Sequence, residues 1–272
     1  VAGEIADNEA WLVGMQEVAT WTVDGVVVAD FTELIIEGLA DRGLRYEAVA
    51  VAPGFQFAAP IPNVGTAGLA IADVILARTD LSPSELKLSN PQTGNYTAQV
   101  VLPTPLGFLP FPRQWAAVDA KVRGKQFRFV STHLESVDEG PFASVRPLQA
   151  AELLTSPTSP LNTTRHPVVL VGDFNSEVTD AGDAAQQFLA AGFDDAWAAA
   201  GTGPGSTYGH DPDLADPTDV LDDSRIDFVM VHGGPVVEAA SVVDTILVPT
   251  FDDRPLWPSD HGGVVATVEL KP

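Results

Sequence analysis

The chain has 272 residues, 45% of them hydrophobic, with 14 Lys and Arg against 37 Asp and Glu for a formal charge of −23, and no Cys. Such a length and apolar content support a sizeable core and exclude disorder by composition, while the absence of Cys excludes disulfides, a thiolate nucleophile and thiolate-bound zinc or iron. The charge repels polyanions at long range, which disfavours tight sequence-reading contacts with nucleic acid, and no apolar run reaches the roughly 20 residues that span a bilayer.

Strand-length apolar runs alternate with amphipathic stretches, and no repeat at a period of 20 to 50 residues is present. Leu12 to Val18 reads as a buried strand. Val28, Phe31, Leu34, Ile35 and Leu39 recur at helical spacing, so a helix is expected over Val28 to Leu39, stopped at Arg42-Gly43. Strands follow at Tyr46 to Val51, Ile71 to Ala77 and Asn95 to Leu102. Trp115 to Val122 alternates apolar and polar residues and should turn through Arg123-Gly124-Lys125 into an antiparallel partner at Gln126 to Thr132. Phe142 to Leu154 and Ala184 to Ala191 read as helices, the second stopped by Gly192. Pro167 to Val171, Ile226 to Val231, Val236 to Val243 and Gly262 to Leu270 complete the strands. Helices among both hairpin-joined and crossover-joined strands imply an α/β fold with two mixed sheets packed face to face and helices outside.

Three segments read differently. Pro53 to Thr66 and Ala200 to Asp223 are rich in Gly, Pro or Asp and are expected to be rim loops. Pro103 to Pro112 (PTPLGFLPFP) is apolar and Pro-rich, and a packed turn is favoured over an exposed contact patch.

The chemistry-bearing residues sit at strand ends: Gln16-Glu17, Ser131-Thr132-His133-Leu134-Glu135, Gly172-Asp173-Phe174-Asn175, Arg225-Ile226-Asp227-Phe228 and Ser259-Asp260-His261. Carboxylate and amide oxygens are hard donors suited to a Mg²⁺-type ion, and imidazoles move protons or stabilise phosphoryl charge. Each segment alone has an ordinary reading as a solvated charge or a turn; their joint order is the informative feature.

The ordered set LVGMQEV (12–18), STHLE (131–135), VVLVGDFNSE (168–177), RIDFVMV (225–231) and WPSDHGGVVATV (257–268) resembles the endonuclease/exonuclease/phosphatase superfamily in its bacterial form. Arg146-Pro147-Leu148-Gln149 with Glu152-Leu153-Leu154 resembles the helix that precedes the GDFN segment there. The resemblance implies a four-layer α/β sandwich forming a single domain over 1–272. It also implies that Glu17 and Asp260 bind or approach the metal, Mg²⁺ with Mn²⁺ or Ca²⁺ as alternatives. Asp173 and Asn175 would orient the attacking water and the phosphate, and His261 would contact the phosphate or transfer a proton, held by Asp227. His133 would donate to a phosphate oxygen, and Arg113 resembles the phosphate-facing Arg of the nuclease branch. Family members open with a strand carrying a metal-binding Asn. Here no Asn takes that role, Asn8 lying in a different element, so the domain is expected to lack that first strand.

The implied activity is divalent-metal-dependent hydrolysis of a small or lipid-derived phosphoester by in-line attack of water. A nonspecific endonuclease or exonuclease on DNA or RNA is the alternative, and a catalytically inactive binding module a third reading. Arg113, Lys121, Arg123, Lys125 and Arg128 are the places where nucleic-acid contacts would be sought. No secretory leader pattern opens the sequence, and the composition fits a secreted bacterial protein whose leader has been removed as well as an intracellular one.

Overall fold

The computed structural model describes residues 1–104, 107–221, 224–245 and 256–271. In chain order the elements are α1 (Ala2–Asp7), β1 (Leu12–Val23), β2 (Val26–Asp30), α2 (Phe31–Ala40), β3 (Tyr46–Ile61), β4 (Gly65–Arg78), β5 (Leu86–Asn95), β6 (Val100–Thr104), β7 (Gly107–Phe111), β8 (Gln114–Val122) and β9 (Lys125–His133). A 3₁₀ turn at Gly140–Phe142 leads into α3 (Val145–Thr155), followed by β10 (Val168–Asp173), α4 (Ala184–Ala190), β11 (Asp194–Asp195), α5 (Ala196–Ala200), β12 (Asp227–His232), β13 (Val236–Val243) and β14 (Gly263–Glu269).

Two sheets dominate. The first, expected to be mixed, is wholly antiparallel because hairpins and not crossovers join its neighbours β1-β2 and β3-β4, in the order β2-β1-β4-β3; the second is mixed, in the order β11-β12-β10-β9-β8-β5, with β9 and β10 as its parallel pair. The hairpins β13-β14 and β6-β7 stand beside them. Ala52 and Ile75 of the first sheet meet Val118, Phe129, Val169 and Val229 of the second in the central core. Leu39 of α2 packs with Val74 and Leu76 on the outer face of the first sheet. Leu153 of α3 and Phe188 of α4 cover Leu170, Phe228 and Met230 on the outer face of the second. Helix, sheet, sheet and helix are the four layers expected, each fully buried Leu or Phe contributing about 1.5–3 kcal/mol. Close approach of the sheets needs Gly14, because a Cβ there would fall 2.5 Å from a Val171 methyl and 2.6 Å from Ser131 Oγ.

Four further expectations are corrected. The helix begins at Phe31 rather than Val28, because Asp24-Gly25, both at positive φ, turn β1 back into β2 and Asp30 caps the helix by accepting from Thr32 and Glu33 N–H. Pro53 to Thr66 is a strand hairpin, not a rim loop: β3 and β4 pair from Tyr46↔Arg78 to Ile61↔Gly65, and Pro53 sits at a register shift that spares the ladder. Asn95 to Leu102 is not one strand; β5 ends at Asn95, and the chain crosses through buried Tyr96, bonded to Thr132 Oγ1 at 2.6 Å, before β6. Within Pro103 to Pro112, of which 105–106 lie outside the described residues, the chain forms the β6-β7 hairpin with Phe108 79% exposed, a protruding patch rather than a packed turn. Residues 222–223 of the segment Ala200 to Asp223 are likewise outside the described residues; the rest is largely irregular and reaches the site through Tyr208.

Candidate active site

Sheet register builds the centre of the site. β9 and β12 flank β10, and the register sets Asp173 beside His133 on one side and beside Asp227 on the other. With strands about 4.8 Å apart, the three side chains form a row at one end of the second sheet. The chain can leave β10 this way only with glycine at 172: φ is +147°, and a Cβ would lie 1.9 Å from the Thr132 carbonyl oxygen. Two residues later, Asn175 N–H donates to Asp173 Oδ1 at 2.7 Å, and its amide donates to Leu134 O at 3.0 Å and Asp173 Oδ2 at 3.1 Å. This side-chain-to-backbone turn fixes both residues.

The first sheet delivers Glu17 through a bulge. Pairing of β1 with β4 jumps from Met15↔Val74 to Val18↔Ala72, leaving Gln16 and Glu17 opposite Asp73, with Glu17 at φ +53°. Gln16 donates to Ser131 Oγ at 2.8 Å, tying the bulge to β9. Glu17 reaches Arg113, whose Nη1 lies 3.3 Å from Glu17 Oε1 and 2.8 Å from His133 Nε2, while Nη2 donates to Ser136 Oγ at 3.1 Å and approaches buried Glu135 at 3.4 Å.

His261 completes the set. Its Nδ1 is 2.8 Å from Asp227 Oδ2, and its N–H donates to Ser259 Oγ at 3.0 Å. The segment is held in place by the loop 207–209: Gly262 N–H donates to Thr207 O at 2.8 Å, Gly209 N–H to Asp260 O at 3.3 Å, and the Tyr208 ring packs 4.9 Å from the imidazole. Thr207 Oγ1 accepts from both Ile226 and Asp227 N–H at 3.1 Å, so the same loop also fixes the start of β12 at Asp227.

The pKa values of the two imidazoles are pushed in opposite directions. Burial pushes His133 well below its ordinary pKa, and the Arg113 guanidinium pushes the same way. Burial also works against a charged His261, but the hydrogen bond and charge of Asp227, with Asp173 and Asp260 beyond, outweigh it and raise the group to about 9. Burial and the neighbouring Asp227 carboxylate raise Asp173 well above the usual carboxylate range.

Of the residues expected from the sequence, Glu17, Arg113, His133, Asp173, Asn175, Asp260 and His261 all line one cavity of about 470 Å³, and Asp227 stands behind His261. Among the described residues, Asp173, Asp227 and His261 offer ligand-capable atoms within 4.8 Å of one another, and Glu17 and Asp260 line the same cavity. Sequence reasoning assigned no role to Tyr208, Glu135, Gln114 or Asp73. Glu135 lies inside the quoted STHLE segment, but Asp73 is one carboxylate in an apolar run, and only the structure shows it buried opposite the Glu17 bulge. Burial lifts Asp73 to about 8, against the nearby Gln114 amide and Glu17 backbone. Arg146, quoted only as part of a helix, is buried and donates to Asp183 at 2.7 and 2.9 Å and to Glu135 O at 3.2 Å, bracing the wall of the cavity. Of the basic residues named for nucleic-acid contact, only Arg113 lines the cavity. Lys121, Arg123, Lys125 and Arg128 sit toward the far end of the β8-β9 hairpin, Arg128 buried against Asp119 and Lys125 bonded to Leu270 O.

A four-layer sandwich with an acidic, two-histidine pocket at the end of its sheets defines the class. The chain belongs to the Endonuclease/Exonuclease/phosphatase family, whose model matches residues 21–261. No curated protein matches it. Among solved structures it is similar to the mannosyl-6-phosphatase Bt3783 of Bacteroides thetaiotaomicron (17% identity, 99% of this chain and 89% of that one, TM-score 0.62). It also resembles an endonuclease/exonuclease/phosphatase from Bacteroides vulgatus (21%, 100% and 89%, TM-score 0.61) and truncated Caenorhabditis elegans TDP2 (16%, 97% and 86%, TM-score 0.53). At these identities the likeness is one of fold.

Proposed function

We propose that the chain is a divalent-metal-dependent phosphoester hydrolase acting on a small or lipid-derived phosphoester through in-line attack of water. The observation that carries this reading is the meeting, in one cavity, of His261, hydrogen-bonded to Asp227 at 2.8 Å, with the Asp173 carboxylate, Asn175, His133 and Arg113. His261 donates to a phosphoryl oxygen and neutralises charge that grows in the transition state. Asp173, its basicity raised by burial, accepts the proton of the attacking water, and Asn175 holds that carboxylate in line. His133 stays neutral beside Arg113, so the guanidinium supplies the fixed positive charge on that side. Glu17 and Asp260, with the oxygens of Asp173 and Asn175, are hard donors that would hold a Mg²⁺-type ion, whose chemistry there would be charge neutralisation at the phosphate.

A small substrate is favoured by where the cations are. The turn of the β8-β9 hairpin lies eight residues, roughly 25 Å of strand, from the cavity, too far to grip the phosphates beside a reacting one. The test is hydrolysis of bis(p-nitrophenyl) phosphate and p-nitrophenyl phosphate with Mg²⁺, Mn²⁺ and excess EDTA. Turnover that chelator abolishes is expected; absence of turnover with every metal would leave an inactive binding module of the same fold.

A further inference from the structure

A second surface of the molecule differs from the polar, charged cavity. In a chain where 19% of residues are charged, residues 48–72 contain no Asp, Glu, Lys or Arg, and neither do residues 88–112. These two stretches hold the distal β3-β4 hairpin and the β6-β7 hairpin. They meet through a run of stacked rings: Phe57 on Phe55 at 6.4 Å and Phe55 on Phe111 at 4.8 Å. Beyond this stack the apolar side chains face water, with Phe108 79%, Val64 53%, Phe57 52% and Ile61 44% exposed. A Cβ at Gly107, in the β6-β7 hairpin, would meet nothing within 4 Å among the described residues. The ridge adjoins the cavity, since Phe111 precedes Arg113 by two residues and Gly54 lies against the Gln114 amide.

We propose that this uncharged double-hairpin ridge docks the protein on a zwitterionic lipid surface. Contiguous exposed apolar area of this kind marks an interaction site, and protruding rings suit insertion among headgroups. Charge selects the surface: a molecule at −23 is repelled by an anionic leaflet, and the ridge has no cation to offset that. The same absence of charge leaves apolar burial as the driving force on a neutral leaflet. A second copy pairing by strand addition is opposed by Pro53, Pro60, Pro103 and Pro110, which remove backbone donors along both hairpins. The docking itself goes beyond the hydrolase reading and does not depend on it.

Co-sedimentation with phosphatidylcholine vesicles tests the proposal. The wild-type chain should bind them with less than about a twofold change between roughly 50 and 500 mM NaCl, and bind vesicles containing phosphatidylserine more weakly. Phe57→Asp and Phe108→Asp should each lower partitioning at least about tenfold while the rate on soluble bis(p-nitrophenyl) phosphate is unchanged. Phe108→Trp, which keeps the apolar contact, should still bind and add a blue-shifted emission when phosphatidylcholine vesicles are present. No wild-type binding, equal binding by the Asp variants, or tighter binding to the anionic vesicles would overturn the proposal. So would a wild-type dimer in solution that the Asp variants dissociate. An inactive chain that still binds through Phe57 and Phe108 would count against the hydrolase reading alone.

Discussion

His261 carries the sharpest pH dependence of the site, because its imidazolium is held to about 9 by Asp227. A raised pKa means the protonated form is favoured on folding, so its contribution to stability is fully present below about 6.5 and is lost as pH rises through about 9. The same proton serves catalysis in the proposed reaction, so kcat/KM should fall on an alkaline limb near that value. Asp227→Asn should move the limb toward neutrality, and an unmoved limb in its pH-rate profile would remove Asp227 from the orienting role. Asp173→Asn and His261→Ala should each lower kcat by at least about 100-fold with the fold retained by circular dichroism. An effect confined to KM would make them binding groups only. Asp73 makes a separate prediction. Its carboxyl is raised to about 8 by burial, so the stability it contributes is fully present below about 4 and is lost as pH rises through about 8. Asp73→Asn should therefore stabilise the protein at pH 8, by an amount on the order of a few kcal/mol read from urea unfolding, and by clearly less at pH 5. Equal midpoints for the two proteins at pH 8 would show that the ionised carboxylate is accommodated.

At the scale of elements, the residues that converge do so because three strands end together. Gly172 is the position on which this depends, since no side chain fits between it and the Thr132 carbonyl. Gly172→Ala should cost at least about 2 kcal/mol in chemical denaturation and disturb Asp173 beside it, whereas Gly124→Ala, where the positive φ of +91° is strained but nothing stands within 4 Å, should cost less. The convergence was legible in the sequence only in part. The segments around His133, Asp173, Asp227 and His261 stand at strand ends and could be found there, because apolar runs end at polar residues. Which strands lie side by side is long-range pairing, and no local pattern encodes it. The β1-β2 hairpin carried a local signal, Asp24-Gly25, that competed with the helical spacing of Val28 and Phe31. The long β3-β4 hairpin was obscured by its prolines and glycines, which read as a loop although Pro53 falls at a bulge and Asn63 supplies the tight turn at φ +63°. Loop 207–209 falls inside the expected rim loop Ala200 to Asp223, but nothing singled out these three residues, since much of their role is carried by backbone groups and Thr207 Oγ1.

For the whole molecule, the charge of −23 and the placement of its few cations decide how the protein meets a substrate. Arg113 and Arg146 line the cavity, and the hairpin cations do not. Activity on a small phosphoester should accordingly exceed that on plasmid DNA and vary little with salt, whereas a nuclease gripping several phosphates would lose orders of magnitude between about 50 and 200 mM. The central claim, that these converging side chains hydrolyse a phosphoester with a divalent ion, is tested most directly by steady-state turnover of bis(p-nitrophenyl) phosphate, with the metal removed and restored, in the wild type and Asp173→Asn. The expected result is turnover that is lost in EDTA, recovered with Mg²⁺ or Mn²⁺, and reduced at least about 100-fold by the substitution. Full turnover in excess EDTA, or an Asp173→Asn variant as active as the wild type, would contradict it.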